Sequence, residues 1–272
     1  RLVRVLRIAE AGMALLDGKR ALVVGVANER SYAWHIAKAL HDHGAAVAFT
    51  HLPGEKNERR TRRAVEAIGV ADPWLRPLDA GSDEELDAVF KAFGEDHERL
   101  DVLVHSIAFA DREWLQPGQF TDTPRDVFSS ALDVSAYTLA AMASRARPLM
   151  AGSGGSILCM SYYGGEKVVP GYNVMGVAKA ALECSARYLA SELGEHGIRV
   201  NVISGGYLRT LASSAVSGTE AFDEHARQRS PLRRGVEGSD VGGAAAFLAS
   251  DLASGITGET IYVDCGVNTI GI

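Results

Sequence analysis

Short apolar runs alternate with longer amphipathic segments along almost the entire chain. The runs 20–24, 45–50, 100–105, 156–160 and 198–203 have the length and composition of buried strands. Between them, apolar residues recur at helical spacing, so strands and helices are predicted to alternate from one end to the other. Because crossovers between parallel strands are right-handed, this order predicts a doubly wound parallel sheet of the Rossmann-like α/β class.

The remaining elements follow from the same pattern. A short strand is expected around Trp74 and Leu75, and a last strand over 259–264. Ser82 is the expected N-cap of one helix, since three acidic residues that suit a helix N-terminus follow it. Helices are predicted over 31–43, 55–68, 82–97, 123–149 and 240–252, with a further helix starting after Gly171.

The chain has no internal linker or composition shift that would divide it. With 272 residues, 47% hydrophobic, it is predicted to form one domain over 15–272. Residues 1–14 mix arginine with apolar residues and are expected to be an N-terminal extension without fixed structure. The stretch 205–234 is long and polar and follows the sixth strand, so we expect a lid there.

Charge and cysteine content narrow the function classes. The net charge of −6 disfavours binding to nucleic acid, and no apolar run has the length of a membrane span. The basic run within 56–63 is interpreted as a solvated helix face, with contact to an anionic carrier or a cofactor phosphate as the alternative. Cys159, Cys184 and Cys265 form no metal-binding pattern and indicate reduced thiols in a cytoplasmic protein. Cys159 and Cys265 are expected to fill the core from strands.

The ends of the predicted strands carry small and hydroxyl-bearing residues that suit a dinucleotide. The segment 25–31 follows the first strand but contains one glycine, so it lacks the usual glycine fingerprint. No carboxylate follows the second strand, which leaves NADH and NADPH as alternatives. Asp79 is either an adenine contact or a turn former, and His105 is more typical of a buried core histidine than of a catalyst.

Tyr172 and Lys179 are the strongest candidates for chemistry. On an ideal helix, residues seven positions apart leave nearly the same face, separated by about 10.5 Å of rise. A phenol with a cation nearby suits a reaction that builds negative charge on an oxygen. Taken alone, such a pair is more often a chance arrangement on a surface helix, and it is the agreement of the other segments that favours a functional pair.

Together these segments closely resemble the bacterial NADH-dependent enoyl-(acyl-carrier-protein) reductases, a divergent branch of the short-chain dehydrogenase/reductase superfamily. The resemblance covers roughly residues 15–270, and the tyrosine-six-lysine segment is its most specific part. The main superfamily pattern places its tyrosine at the position of Met175, which cannot donate a proton. Leu52, Ala108, Tyr207 and Cys265 depart from residues common in the family. The segments that carry the resemblance are 25–31, 105–110, 161–179, 199–204, 208–212 and 258–264.

The resemblance implies a role for each matching residue. Tyr172 would hydrogen-bond the thioester oxygen, Lys179 would hold the nicotinamide ribose, and Tyr162 would lie near the acyl chain and assist at the same oxygen. Ala110 would border the substrate. Cofactor contacts are implied for Gly25, Ser31, Tyr32, Leu52, Asp79, Ala80, Ile107, Lys179, Leu208, Arg209, Thr210, Leu211 and Ala212.

The implied activity is reduction of the trans-2 double bond of enoyl thioesters on acyl carrier protein by NADH, in fatty acid elongation. The tyrosine lies three residues, about 4.5 Å, further from the lysine than in ketone reductases, which favours a distant carbonyl oxygen. The resemblance also implies a homotetramer. Charge, apolar run length and cysteine content predict a cytoplasmic protein that binds neither nucleic acid nor membrane. Two alternatives stay open: another short-chain reductase, acting on a ketone or an enoyl-CoA, and a non-catalytic NAD(P)-binding sensor.

Overall fold

The computed structural model describes residues 14–210, 224 and 227–271. Its strands form one sheet in the order β3-β2-β1-β4-β5-β6-β7, and every neighbouring pair is parallel. The predicted Rossmann-like architecture is therefore confirmed. The strands are Arg20–Val24 (β1), Ala46–His51 (β2), Leu75–Pro77 (β3), Val102–His105 (β4), Gly155–Ser161 (β5), Ile198–Gly205 (β6) and Thr260–Val263 (β7).

Helices cover both faces of this sheet. Their predicted positions are confirmed to within a few residues, with one interruption described below. They are Tyr32–Asp42 (α1), Glu55–Glu66 (α2), Asp83–Asp96 (α3), Arg125–Leu132 (α4), Thr138–Met150 (α5), Asn173–Leu193 (α6) and Gly238–Ala249 (α7). None of the described helices is long and apolar enough to cross a membrane.

The long helix predicted over 123–149 is present as a continuous helical run over 125–150, but a π-helical turn separates its two α-helical parts. That turn covers Asp133–Tyr137 and is followed directly by α5. Within it, the Ser135 hydroxyl accepts from the Phe109 amide at 2.9 Å and donates to the Phe109 carbonyl at 3.1 Å. A widened turn of this kind is common at functional sites. Helical periodicity alone does not reveal it.

The core consists of two apolar layers, one on each face of the sheet. Alternate residues of a strand point to opposite faces. Thus Val23 packs with Ile36 of α1, whereas its neighbour Leu22 packs in the layer that contains Phe93 of α3 and Leu182 of α6. Each fully buried Leu or Phe contributes about 1.5–3 kcal/mol. These layers hold the strand ends, and hence the residues that follow them, in fixed positions.

Two sequence expectations fall largely on residues that the structure does not describe, and two concern cysteines. Residues 1–13 of the predicted extension and residues 211–223, 225 and 226 of the predicted lid lie outside the described residues. Cys159 is buried in β5, as predicted, whereas Cys265 lies outside the strands but packs, partly buried, against the core. Cys265 follows β7, is half-buried and has a φ of 58°. The Asp264 carboxylate accepts from the amides of Gly266 and Asn268, and this turn ends the strand before Cys265.

Candidate active site

A cleft of about 1060 Å³ opens along the carboxyl ends of the strands. It spans the point between β1 and β4 where the strand order reverses, which is where open α/β sheets bind their ligands. Residues that follow six different strands line it. In the order β1 to β6, they include Gly25, Leu52, Asp79, Ile107, Tyr162 and Leu208.

The segments after β1 and β4 approach each other closely at the centre of this cleft. Gly25 has a φ of 113°, and a Cβ there would lie 2.1 Å from the carbonyl oxygen of Ser106. A side chain is therefore excluded by both backbone conformation and space. The single glycine of the 25–31 segment stands where the fold requires one, although the full fingerprint is missing.

The start of α1 faces the same cleft and is firmly anchored. The Ser31 hydroxyl caps the helix by accepting from the Trp34 amide at 3.3 Å, and it donates to the Asn28 carbonyl at 2.8 Å. The Tyr32 hydroxyl donates to the Gly206 carbonyl beyond β6 at 2.7 Å, and burial raises the pKa of this phenol. A capped helix N-terminus of this kind suits an anionic group such as a pyrophosphate.

Lys179 lies on α6 and reaches the cleft from a buried position. Its side chain is 5% exposed, and its Nζ donates to the Met160 carbonyl at 2.8 Å. Burial lowers the pKa of Lys179 to about 8, against the opposing influence of Cys159 and Glu183. The ammonium is thus charged at neutral pH and held in one orientation.

Tyr172 is the N-cap of α6 and does not lie within the helix, so the expected ideal-helix relation to Lys179 is wrong. The reason is Asn173, which has a φ of 43° and breaks the helical path between the two residues. Asparagine tolerates this left-handed conformation better than most residues. Its side-chain amide donates to the carbonyls of Trp114 and Gln116 at 2.8 and 2.7 Å, which fixes the turn. Tyr172 and Lys179 nevertheless both line the cleft.

Three tyrosine rings form a cluster, of which Tyr162 and Tyr172 line the same cleft as Lys179. The Tyr162 and Tyr172 rings meet edge to face at 5.1 Å between centroids, and the Tyr162 and Tyr163 rings at 4.7 Å. Burial raises the pKa of both Tyr162 and Tyr172, and nearby Glu183 raises that of Tyr172 further. Both phenols are therefore protonated, and able to donate a proton, throughout the neutral range.

The structure brings most of the predicted site residues to this one cleft. Arg209 is exposed and does not line it, and Leu211 and Ala212 lie outside the described residues. The individual roles stay predictions. The predicted residues that line the cleft are Gly25, Ser31, Tyr32, Leu52, Asp79, Ala80, Ile107, Ala110, Tyr162, Tyr172, Lys179, Leu208 and Thr210.

Asp79 and His105 had open interpretations. Asp79 lines the cleft and also accepts from the Gly81 amide at 3.0 Å, so it forms a turn there. His105 is fully buried and shares a hydrogen bond of 2.8 Å with the Thr138 hydroxyl, while its Nδ1 has no partner among the described residues. Burial lowers the pKa of His105 to about 3, so the ring is neutral. It is a core histidine with one unsatisfied nitrogen.

Sequence reasoning missed two residues that support the site. Ser135 of the π-helical turn holds the backbone of Phe109, which lines the cleft. No local pattern singles out this serine. Glu183 accepts from the Ser161 hydroxyl at 2.5 Å. Its position four residues after Lys179 on the same helix is a signal that could have found it.

The cleft has the chemistry that a nicotinamide dinucleotide needs. It offers a helix N-terminus, an ammonium, the hydroxyl of Thr210 and a largely apolar lining, in a volume suited to a ligand of that size. Within the described ranges, no group of His, Cys, Asp and Glu side chains is arranged to hold a metal ion.

Comparison with known proteins yields a consistent family. Residues 25–268 match the family model described as Enoyl-(Acyl carrier protein) reductase. The chain is 49% identical over 259 residues to the enoyl-(acyl-carrier-protein) reductase (NADH) FabI of Synechocystis sp., covering 94% of this chain and 99% of the relative. It is 46% identical over 259 residues to the FabI of Bacillus cereus of the same name, covering 95% and 100%.

Solved structures agree with this similarity. The crystal structure of the Bacillus cereus enoyl-acyl carrier protein reductase with NADP+ and indole naphthyridinone superposes with a TM-score of 0.92 at 46% identity, covering 96% of this chain and all of that one. The enoyl-(acyl-carrier-protein) reductase (NADH) of Aquifex aeolicus superposes with a TM-score of 0.90 at 45% identity, covering 95% and 99%.

Proposed function

This chain belongs to the enoyl-(acyl carrier protein) reductase family, and we propose that it reduces the trans-2 double bond of enoyl thioesters on acyl carrier protein with NADH, in fatty acid biosynthesis. One observation carries the proposal for this chain. Tyr162, Tyr172 and Lys179 line a single cleft at the switch point of the sheet, with both phenols protonated and the ammonium charged.

NADH, when bound, supplies the hydride for the β-carbon of the enoyl group. The residues that would hold it are the capped start of α1 with Ser31 for the pyrophosphate, Asp79 and Ala80 for the adenine, and Lys179 for the nicotinamide ribose. Ile107 and Leu208 would border the nicotinamide half. The fit is supported by the cleft itself, which all of these residues line.

Tyr172 stabilises the negative charge that develops on the thioester oxygen of the substrate. Its hydroxyl is a neutral donor at physiological pH, and a donor aimed at developing charge stabilises the transition state selectively. Tyr162, whose ring contacts that of Tyr172, assists at the same oxygen. Lys179 orients the cofactor and adds a positive charge that favours the developing anion.

Met175 supports conjugate reduction over ketone reduction. It occupies the position of the catalytic tyrosine in the main short-chain reductase pattern, is buried, and has no proton to donate. The proton donor of this chain is instead at Tyr172. It therefore suits a carbonyl oxygen three bonds from the carbon that receives hydride, two bonds further than in a ketone.

An assay with crotonyl, long-chain enoyl and acetoacetyl thioesters, run with NADH and NADPH in parallel, tests the function. We expect oxidation of NADH with enoyl thioesters and none with acetoacetyl thioester. Reduction of acetoacetyl thioester alone would identify a ketone reductase. Tight cofactor binding without oxidation on any thioester would identify a sensor. Comparing carrier-protein and CoA thioesters of one chain length separates the two substrate forms.

The proposal also covers assembly, location and domain content. We expect a cytoplasmic homotetramer, and the family supports this expectation. We expect each subunit to be one catalytic domain over residues 15–272, and the single sheet, to which every described strand belongs, supports this. Sedimentation or light scattering of the purified protein measures the assembly, and a monomer at working concentration would contradict it.

A further inference from the structure

Glu183 is a carboxylate that the reaction described above does not use. It lies on α6 one turn beyond Lys179, is half-buried, and its Oε1 accepts from the Ser161 hydroxyl at 2.5 Å. Removing a carboxylate from water costs free energy unless the group is hydrogen-bonded or paired. The hydrogen-bond donor to Glu183 therefore indicates its role.

Ser161 is the last residue of β5 and lies between two parts of the site. The carbonyl that accepts from Lys179 at 2.8 Å belongs to the peptide bond joining Met160 to Ser161. The residue that follows is Tyr162, whose ring contacts Tyr172. Fixing Ser161 therefore fixes both the acceptor of the lysine and the start of the tyrosine cluster.

The other groups near Glu183 do not replace Ser161 in this role. Arg187 and Lys179 on the same helix, and Glu166 after β5, act on Glu183 through charge. The Tyr262 hydroxyl of β7 donates to Glu166. Burial raises the pKa of Glu183, while the hydrogen bond from Ser161 opposes that shift. Among the described residues, the Ser161 hydroxyl is the hydrogen-bond donor to this carboxylate.

We propose that Glu183 is a positioning residue for the reaction: by accepting from Ser161, it holds the Met160 carbonyl against Lys179 and the backbone of Tyr162 beside Tyr172. The inference rests on the proposed function for its kinetic consequences. A small displacement of an oriented group is enough to slow a reaction by a large factor. Glu183 itself does not line the cleft.

Three variants separate the hydrogen bond from the charge. Glu183→Leu keeps most of the volume but removes the acceptor, and Ser161→Ala removes the donor. Both are expected to weaken NADH binding about tenfold and to lower kcat about tenfold, with little change in KM for the enoyl thioester. Glu183→Gln keeps an acceptor oxygen and is expected to recover most of what Glu183→Leu loses. The double variant Ser161→Ala/Glu183→Leu should bind NADH and turn over no worse than either single variant, since both substitutions remove the same hydrogen bond.

Glu192→Leu is the matched control, because Glu192 is an exposed carboxylate on the same helix. Wild-type NADH binding and kcat in both Glu183→Leu and Ser161→Ala would overturn the inference. Multiplying losses in the double variant, or a Glu183→Gln variant as weak as Glu183→Leu, would overturn it as well. Thermal unfolding identifies any variant that fails to fold. If Glu183→Leu fails to fold, the comparison of Ser161→Ala with the wild type decides the inference. A wild-type enzyme that binds NADH without turnover would defeat the proposed function, and the binding titrations would still decide this inference.

Discussion

The Tyr162 and Tyr172 rings meet edge to face, with centroids 5.1 Å apart and ring planes at 76°. Contacts of this kind stabilise by about 0.5–1.5 kcal/mol beyond the area that they bury. They depend on the rings and not on the hydroxyls. Phenylalanine at Tyr172 therefore preserves the ring contact and removes the hydroxyl, which makes the chemistry of this residue separable from its packing.

Tyr172→Phe is expected to lower kcat by about 10²–10³-fold, because it removes one donor to the developing oxyanion. NADH affinity should change little, since the ring and the neighbouring Lys179 stay in place. Steady-state kinetics and a fluorescence titration with NADH measure the two quantities. Tyr188→Phe is the control, as Tyr188 is exposed on the same helix. A variant with wild-type kcat would remove Tyr172 from the mechanism.

Lys179→Ala is expected to show the opposite pattern, with NADH binding weakened by at least about tenfold. The buried ammonium is held by the Met160 carbonyl and lines the cleft, so the substitution removes a positioned positive charge from the cofactor site. Calorimetric or fluorescence titration measures the change. Lys91→Ala, at an exposed position on α3, serves as the comparison. Unchanged NADH affinity would reject the role of Lys179.

NADH affinity is also expected to depend on pH through Lys179. Because burial lowers the pKa of Lys179 to about 8, its positive charge is present below that pH and is lost above it. Affinity should therefore be steady below about pH 8 and decline as the pH rises further. Titrations across this range test the decline, and Lys179→Ala should bind weakly with no such inflection. An inflection retained in the variant would assign it to another group.

The lowered pKa of Lys179 also makes the free energy of unfolding depend on pH. Between about pH 8 and the ordinary lysine value near 10.5, the unfolded chain binds a proton at Lys179 that the folded chain does not. The contribution of this group to the free energy of unfolding therefore rises with pH across that window. Denaturant unfolding of the wild type and of Lys179→Ala at several pH values isolates it. A contribution that falls with rising pH would contradict the depressed pKa.

Gly25→Ala should destabilise the fold and weaken NADH binding together. The positive φ costs about 1–3 kcal/mol for a residue with a side chain, and the Cβ would clash with the Ser106 carbonyl in addition. Gly243→Ala is the matched change, since Gly243 lies in α7 with open space around it. It should stabilise by about 0.5–1 kcal/mol. Thermal and denaturant unfolding compare the two, and a stable Gly25→Ala variant would mean that the β1 and β4 loops can separate.

The architecture could be predicted because it depends on local patterns. Apolar runs of strand length specify buried parallel strands, and the Ser82 cap appears at its predicted place, accepting from the Glu85 amide. The cleft was also predictable in outline, since the ends of parallel strands meet at one edge of the sheet. The π-helical turn at Asp133–Tyr137 was not, because the contact between Ser135 and Phe109 joins residues far apart in sequence.

Periodicity and spacing are local properties of the chain, so they were enough to predict the sheet, the edge at which ligands bind, and Tyr172 and Lys179 as candidates for the chemistry. The orientation of these groups could not be predicted in this way. The left-handed turn at Asn173, the hydrogen bond from Lys179 to Met160 and the Ser161–Glu183 contact each join separate segments. Their existence depends on the packing of helices against the sheet, which brings distant residues within hydrogen-bond reach and sets the burial that shifts the pKa of Lys179.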